Sequence, residues 1–407
     1  MASTFQPSDD SQVLEAVTWA LAEEAPLEVV GRGGKRGFGR HLQVDHTLDL
    51  SGLSGINFYE PEELILSAKP ATPMAEIEAA LAERGQMLAF EPMDMGPLFG
   101  KAAGEGSIGG VFACNLSGPR RVKAGAARDH LLGFNAISGR AEAFKSGGRV
   151  VKNVTGYDLS KLITGSYGTL AVMTELTFKV LPAPEKTYTV LLDGLDGAAA
   201  TRAMAAAMNS AHEVAGAAYL PASLTSRSDV SYVQGAGASI TALRLEGFGP
   251  SVEQRCRELR EELGAFGALE ELHSRNSARF WSEIRDAAYL TAPEETPTWR
   301  ISVPPAAGHQ VLAKLSSELD GEGFLDWSGG LVWLSLPAGD DASHESVRGA
   351  IAVHGGHATL VRAPADIRAS VPVFQPQPAP LAALSARVKD SFDPKRILNP
   401  GRMVAGS

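Results

Sequence analysis

The stretch that determines the fold is VVGRGGKRGFGR, residues 29–40, in which an apolar strand runs into a loop with five glycines. Glycine permits positive φ, so successive N–H groups of such a loop can converge on an anion. Arg32, Lys35 and Arg36 add positive charge, and a diphosphate is the ligand that suits this combination. The spacing lacks G-x-x-x-x-G-K-[ST], which excludes a P-loop. A glycine-rich solvated turn is the alternative at this point.

A second glycine-rich segment, GKAAGEGSIGGVFACNLSGPRRVKAG, has too little periodicity to predict a regular element. Gly104, Gly106 and Gly109 satisfy G-x-G-x-x-G, with Asp129 twenty residues further on. A dinucleotide fingerprint needs a buried strand before these glycines and a helix opening after them, and the flanking sequence predicts neither. The small residues Ser107 to Asn115 instead favour contact between the backbone and a flat ligand.

The third segment is GGRVVKNVTGYDLSKLITGSYGTLAVMTELTFKV, residues 147–180. It predicts a loop at Gly156, a helical turn over 158–163, a second loop over 165–168 and a β-branched strand over 170–181. Composition alone does not exclude an ordinary loop–helix–strand unit.

Elements before this segment alternate between strand and amphipathic helix, which predicts mixed α and β layers. Ser11 can cap a first helix, and the strand Leu27–Val30 follows it. An apolar run, Leu64–Ala68, precedes Thr72 and Pro73, which suit the N-cap and first residue of a second helix.

Pro-Ala-Pro at 182–184 indicates a domain exit. Beyond it, alanine-rich helical stretches alternate with strand candidates, a pattern typical of an antiparallel sheet flanked by helices. The predicted helices are Gly197–Asn209 and Val252–Leu263, with a last helix Leu381–Phe392; the predicted strands are Tyr188–Leu192, Ile301–Val303 and Leu331–Leu336.

Composition narrows the function classes. The 407 residues predict two or three domains at roughly 150 residues per domain. Lys and Arg number 37 against 47 Asp and Glu, so a basic face for nucleic acid is not expected. Cys114 and Cys256 cannot form a cysteine-ligated cluster, and no metal site is predicted. No stretch approaches the roughly 18 apolar residues of a membrane span, and the N-terminus lacks a signal pattern, so we expect a cytoplasmic protein. Peripheral attachment to the inner face of the membrane through a complex stays open.

Four ordered motifs resemble the FAD-linked oxidases of the vanillyl-alcohol oxidase type. They are the G-x-G-G-K loop near residue 31, S-I-G-G with N-x-S-G at 107–118, K-N-V-T-G-Y-D-L with G-S-Y-G-T-L at 152–170, and F-D-P-x-x-I-L-N-P-G-R at 392–402. Each motif is weak alone, but four in this order are specific, and they cover about half of the chain. KNVTGYDLSKLITGSYGTL, together with WRISVPP at 299–305 and GGHATLVR at 355–362, is most similar to the FAD-binding subunits of bacterial glycolate oxidases.

The resemblance implies an α+β fold of three parts. A two-lobed FAD-binding domain of the p-cresol methylhydroxylase (PCMH) type would occupy residues 1–184. A cap domain over 185–370 would carry an antiparallel sheet flanked by helices. Residues 371–407 would return to the FAD-binding domain.

The resemblance also implies FAD-binding residues. The first loop would hold the pyrophosphate, Pro92 would lie near the flavin ring, and the last motif would reach the flavin edge, while Asp129 would fix its own loop. Relatives with covalent flavin attach it through a histidine or cysteine near the first loop or the flavin ring. We expect non-covalent FAD, because Lys35 and Arg36 occupy the loop positions in this chain. The implied contacts are Arg32, Gly33, Gly34, Lys35, Arg36, Pro92, Ser107, Ile108, Gly109, Gly110, Asn115, Ser117, Gly168, Thr169, Val172, Asn399 and Arg402.

Two departures concern catalysis. Tyr167 stands where relatives that oxidise D-2-hydroxy acids have glutamate, and the H-G-D-G-N type motif of their cap domain is absent. Hydroxy-acid oxidation needs a base for the hydroxyl proton and a cation for the carboxylate. His357 is the candidate base. Arg300 is the first candidate cation, with Arg285 and Arg362 as alternatives, and an ordinary surface or polar role is open for each.

The implied function is the FAD-binding subunit of a glycolate oxidase complex that oxidises glycolate, a small 2-hydroxy acid, to glyoxylate. Its partners would be a larger FAD-linked catalytic subunit and an iron–sulfur subunit, which takes the electrons because this chain lacks cluster ligands. A free-standing FAD-dependent oxidase or dehydrogenase of another hydroxyl substrate is one alternative. A non-catalytic FAD-holding assembly subunit is the other.

Overall fold

A computed structural model of the chain describes residues 2–149, 156–291, 293 and 295–406. The K-N-V-T part of the third predicted motif lies outside the described residues.

The strands are β1 (Ser3–Phe5), β2 (Leu27–Val30), β3 (His46–Asp49), β4 (Ile56–Glu60), β5 (Ile65–Ala68), β6 (Gln86–Met87), β7 (Leu131–Ser138), β8 (Ala143–Gly147), β9 (Ala171–Lys179), β10 (Leu181–Pro182), β11 (Lys186–Asp193), β12 (Gly216–Leu220), β13 (Ile240–Gly247), β14 (Leu269–His273), β15 (Thr298–Ser302), β16 (Glu322–Asp326), β17 (Leu331–Ser335) and β18 (His357–Arg362). The helices are α1 (Asp10–Ala22), α2 (Met74–Ala82), α3 (Ile108–Cys114), α4 (Arg121–Ala124), α5 (Leu159–Ile163), α6 (Gly197–Met208), α7 (Ala222–Thr225), α8 (Ser231–Gly235), α9 (Gly249–Leu263), α10 (Ser274–Arg285), α11 (Gly308–Leu319), α12 (His344–Ala352), α13 (Ala365–Ser370) and α14 (Ala379–Phe392). Among the described residues, no helix is both long and apolar enough to cross a membrane.

The amino-terminal lobe, which carries β1 to β10, contains two main sheets. A parallel sheet has the order β1-β3-β2, and an antiparallel sheet has the order β4-β5-β9-β7-β8. Apolar residues of α1 pack on the small sheet together with Ile397 and Leu398, both fully buried. The C-terminal segment therefore returns to this lobe.

Two helix starts differ from the sequence prediction. Asp9, not Ser11, caps α1, because its carboxylate accepts from the backbone of Gln12 at 2.9 Å. The Ser11 hydroxyl donates to that carboxylate. Pro73 occupies the N-cap of α2, since the Thr72 hydroxyl is committed to the carbonyls of Lys69 and Gly55.

The prediction of no regular element in the second glycine-rich segment is wrong for its middle, where Ser107 precedes α3. Glycine disfavours helix, but here Ile108, Val111 and Phe112 are buried in the main core, and this packing outweighs the low propensity. Gly109 is tolerated because it lies against Pro70, where a Cβ would come within 2.7 Å of the Pro70 carbonyl oxygen.

The cap lobe carries one antiparallel sheet of eight strands, in the order β14-β11-β13-β12-β16-β17-β15-β18. Side chains alternate between its two faces. One face, which includes Trp299 and Ile301, forms a core with α6, α9, α11 and α12. The other face, which includes Phe324 and Trp333, belongs to the core of the amino-terminal lobe. The predicted antiparallel sheet flanked by helices is confirmed, and its second face is turned toward the amino-terminal lobe.

Buried ion pairs join the two lobes. Arg244 of β13 donates both Nη atoms to the Glu91 carboxylate at 2.8 Å, and Arg120 donates to Glu246 at 2.6 and 2.8 Å. These arginines lower the pKa of Glu91 to about 2 although burial opposes them. Breaking one such buried pair typically costs about 3–5 kcal/mol, so the pairs fix how the cap lobe sits.

Candidate functional site

The loop after β2 borders a cleft that holds about 560 Å³ of space, including space open to solvent. We call this the loop cleft. Within the described residues, the backbone amides of Arg32, Gly33, Gly34 and Lys35 donate to no acceptor. Gly33 has φ +72, which L residues rarely adopt, and a Cβ on Gly34 would meet only atoms 3.8 Å away or more. The loop therefore presents uncommitted N–H groups along an open wall.

Arg402, which also borders the cleft, fixes the shape of this loop. Its Nη1 donates to the carbonyls of Arg36 and Phe38 at 3.1 and 3.3 Å, and its Nη2 donates to Glu28 at 3.1 Å. Its own carbonyl accepts from the Arg40 amide at 2.9 Å. Because Arg402 takes up carbonyls of the loop, it holds the curved backbone in which the amides stay free.

Lys35 extends from the loop toward α3. A Cβ on Gly106 or Gly110 would lie 3.4 or 3.3 Å from its Nζ, so these glycines leave room for the ammonium. In the part of the chain that the structure describes, the Lys35 ammonium has no hydrogen-bond partner. Burial lowers the pKa of Lys35, and the nearby Cys114 and Asp94 oppose this shift. An anionic ligand in the cleft would restore the missing partner.

Two further clefts adjoin the loop cleft. The first, of about 450 Å³, shares Lys35 and is also bordered by Pro92, Asp94 and Arg285; we call it the Pro92 cleft. The second, of about 460 Å³, shares Tyr167 and extends along Gly168 and Val172; we call it the Gly168 cleft. Together they suit a long ligand with a charged middle and an apolar part.

Most of the predicted FAD-contact residues border these clefts. They are Arg32, Gly33, Gly34, Lys35, Arg36, Pro92, Ser107, Gly109, Gly110, Gly168, Val172, Asn399 and Arg402. Four others border none of the three. Ile108 is in the core, Asn115 accepts from the Arg128 amide, Ser117 accepts from the Ala127 amide, and Thr169 donates to the Ser166 carbonyl. Asp129 accepts from the Ala126 amide within its own loop.

Tyr167 separates the loop cleft from the Gly168 cleft. Its backbone is left-handed, with φ +55, and its ring contacts Phe38 and Phe374 at centroid distances of 5.3 and 4.9 Å. Burial raises the pKa of Tyr167 well above its ordinary value, with Cys114 adding to the effect and Arg300 opposing it. The phenol is therefore neutral and uncharged at the wall of both clefts.

The predicted catalytic residues lie together on the sheet face that is turned toward Tyr167. Arg300 pairs with Thr359, and His357 pairs with Ser302, so both side chains project from the same face. The His357 side chain is exposed at the start of β18, and partial desolvation, then Arg300 and Arg121, lowers its pKa. The imidazole is consequently neutral at neutral pH and able to accept a proton.

The alternative cations are already paired. Arg285 binds its neighbour Asp286 through two hydrogen bonds, of 2.8 and 2.6 Å. Arg362 donates to the carbonyl of Leu98 in the amino-terminal lobe and to those of Thr296 and Leu290 in the cap lobe. It therefore connects the two lobes. Two other residues here, Arg121 and Trp327, were not predicted as site residues. Arg121 and Arg300 both lie over the Trp327 ring, with their Cζ atoms 4.5 and 4.9 Å from its centroid.

Comparison with known proteins shows the family to which the chain belongs. Residues 1–147 match a family model described as an FAD binding domain. Glycolate oxidase subunit GlcE of Escherichia coli (strain K12) is 35% identical over 393 residues, which cover 97% of this chain and 97% of that protein. The chain belongs to the GlcE family of FAD-linked oxidoreductases.

Other similarities are more local or concern the fold. Glycolate oxidase subunit GlcD of Bacillus subtilis (strain 168) is 32% identical over 144 residues, 35% of this chain and 29% of that protein. The structure of p-cresol methylhydroxylase with substrate bound covers 99% of this chain and 88% of its own, with a TM-score of 0.73 and 13% identity. The expected PCMH-type fold is confirmed.

The cleft of this GlcE family member fits FAD, the cofactor of its domain family. FAD joins a flavin to an adenosine through a diphosphate, and the loop cleft offers four free amides and the unpartnered Lys35 ammonium in its middle. The adjoining clefts extend to either side. Anions bind such concavities of successive amides.

Proposed function

We propose that the chain is the FAD-binding subunit of a complex that oxidises glycolate to glyoxylate. The observation that carries the proposal is the loop cleft, whose free amides and Lys35 lack any partner among the described residues. The GlcE relative, aligned over 97% of both chains, supports the substrate and the role as a subunit.

The residues that would hold FAD fall into three groups. The amides of the loop, with Lys35, would bind the diphosphate. Gly168 and Val172 would border the adenosine side, and Pro92 the flavin side. Attachment would be non-covalent, because Lys35 and Arg36 occupy the loop positions at which relatives carry an attaching histidine or cysteine.

FAD, when bound, supplies an acceptor for the hydride that leaves the α-carbon of a 2-hydroxy acid. His357, neutral at neutral pH, would accept the hydroxyl proton as that hydroxyl becomes a carbonyl. Arg300 would attract the substrate carboxylate. Aromatic residues around Tyr167 would limit the access of water.

The electrons would leave through an iron–sulfur partner, and a larger FAD-linked subunit would share the reaction. The name of the relative as a subunit supports an assembly of this kind. We place the complex in the cytoplasm or on the inner face of the membrane.

Anaerobic reduction tests the proposal. The purified chain and its assembled complex should both show a flavin spectrum, and the flavin of the complex should bleach with glycolate. If the flavin of the chain bleached only with another hydroxyl substrate, a free-standing oxidoreductase would replace the proposal. If flavin bleached in the partner subunit alone, this chain would hold FAD without catalysis.

A further inference from the structure

The indole of Trp327 lies where the two lobes meet, with a basic residue of each lobe beside it. Its Nε1 donates to the Gly118 carbonyl at 3.0 Å, which fixes the ring against the amino-terminal lobe. Arg121 comes from α4 of that lobe, and Arg300 comes from β15 of the cap lobe. Both guanidinium groups lie within 5 Å of the ring centroid, so the two charges are held near each other.

Neither guanidinium has an ion pair or a side-chain hydrogen bond within the described ranges. Two other arginines between the lobes do have carboxylate partners. Arg120 donates to Glu246, and Arg244 donates to Glu91. Burial and the charge of Arg121 lower the pKa of Arg300 to about 10, so it remains protonated at neutral pH. Two protonated guanidinium groups are thus stacked at the interface without counterions.

A nearby carboxyl group neutralises the charges of Arg121 and Arg300 only in part. The nearby carboxyl is Asp326, whose Oδ1 accepts from the Trp327 amide at 2.7 Å. Burial raises the pKa of Asp326 to about 7, so near neutral pH a large fraction of it carries no charge. A cation–π contact offsets some of the cost of an unpaired arginine but supplies no acceptor for its N–H groups.

We propose that Arg121 and Arg300, stacked on Trp327, form the site that binds the carboxylate of the organic acid. A guanidinium binds a carboxylate through two parallel hydrogen bonds, and two such groups surround it from both lobes. Arg300 acts electrostatically on Tyr167, which borders the loop cleft, so the pair of arginines is close to one wall of that cleft. His357 stands on the same sheet face. This proposal rests on the proposed function, because it assigns one end of its substrate.

Calorimetric titration with oxalate tests the site. Oxalate is a carboxylate without a C–H bond to oxidise, so its binding does not depend on turnover. The full chain, as purified with its flavin, should bind oxalate. The R300Q and R121Q variants should each raise the Kd for oxalate by at least about tenfold, because each removes one charge-assisted pair of hydrogen bonds to the carboxylate. The flavin content should stay unchanged.

R202Q is the matched control. Arg202 lies exposed on α6 of the cap lobe, so its replacement removes the same charge away from the site and should leave the Kd unchanged. The two test positions lie on separate elements, and circular dichroism shows which variants fold. Oxalate binding that is absent in the parent chain, or equal in R300Q, R121Q and R202Q, overturns the site. Oxalate binding that needs both arginines, in a chain whose flavin glycolate never reduces, keeps the site and rejects glycolate oxidation.

Discussion

Asn399 donates its Nδ2 to the carbonyl of Tyr167 at 2.8 Å. Its Oδ1 accepts from the Val29 amide at 2.8 Å, and its own amide donates to the Leu27 carbonyl. One side chain of the C-terminal segment therefore connects the end of β2, where the glycine loop begins, to the residue between two clefts. The left-handed backbone of Asn399, φ +43, is one that asparagine adopts more readily than most residues.

N399D tests this connection. Aspartate keeps the acceptor for Val29 and tolerates the left-handed backbone, but it places a carboxylate oxygen against the Tyr167 carbonyl. We expect a loss of about 1–3 kcal/mol in unfolding free energy and weaker FAD binding, measured by urea denaturation and by quenching of flavin fluorescence. N209A, which removes an exposed amide at the end of α6, should change neither measurement. Equal flavin affinity in N399D and the parent chain would contradict the role of Asn399.

Lys389 lies on the exposed helix α14, but its own side chain is buried, with 5% exposure. Replacing it should therefore lower the unfolding free energy strongly. Its Nζ donates to Asp393 and to the carbonyls of Thr169 and Leu398. K389M leaves the fully buried Asp393 without its cation, so we expect a loss of about 3–5 kcal/mol in unfolding free energy. Lys395 forms an exposed pair with Glu24, and K395M should change the unfolding free energy little, because exposed ion pairs contribute little. Similar denaturation midpoints for the two variants would refute this difference.

Asp326 predicts a pH dependence. Burial raises its folded-state pKa from 3.8 to about 7, while Trp327 and Arg244 oppose the shift. Between those two pH values the folded chain binds more protons at Asp326 than the unfolded chain does. The contribution of Asp326 to stability therefore falls as pH rises through that window, by up to about 1.4 kcal/mol per pH unit.

D326N removes this titration and keeps an acceptor for the Trp327 amide. The variant should gain stability relative to the parent chain when pH is raised from 5 to 7.5, as measured by urea denaturation at both values. A difference in unfolding free energy between variant and parent that does not change with pH would show that Asp326 ionises normally.

The sequence predicted the parts of the site that depend on local chemistry. The glycine loop needed only its φ freedom and its charges, and the strand before it was confirmed at Leu27–Val30. The interpretation of Lys35 as a cleft residue also followed from the loop alone. The role of α3 was missed because its helix depends on packing of Ile108 and Phe112 in the core, which no local pattern reveals.

Contacts between distant segments explain the rest. Arg121 and Trp327 are 206 positions apart in the printed sequence, and the Trp327 hydrogen bond to Gly118 brings them together. Arg285 and Arg362 were as plausible as Arg300 in the sequence, and only their bonds to Asp286 and to backbone carbonyls set them apart. Burial and pairing of a charge are properties of the fold, so they could not be predicted.

FAD binding by G34V tests whether the loop after β2 holds the diphosphate. Gly34 has an ordinary backbone conformation, and a Cβ there would lie 3.8 Å or more from Glu105 and Gly106, which is an ordinary contact. The variant should therefore fold while valine blocks the approach of a diphosphate to the free amides. Gly339 lies in an exposed loop with open space around it, so G339V is the matched control.

The measurement is a titration of each flavin-free chain with FAD, followed by flavin fluorescence. The parent chain and G339V should bind one FAD per chain, and G34V, folded by circular dichroism, should bind at least about tenfold more weakly. Unchanged FAD affinity in G34V, or no FAD binding by the parent chain, would contradict the assignment of the loop after β2 as the diphosphate site.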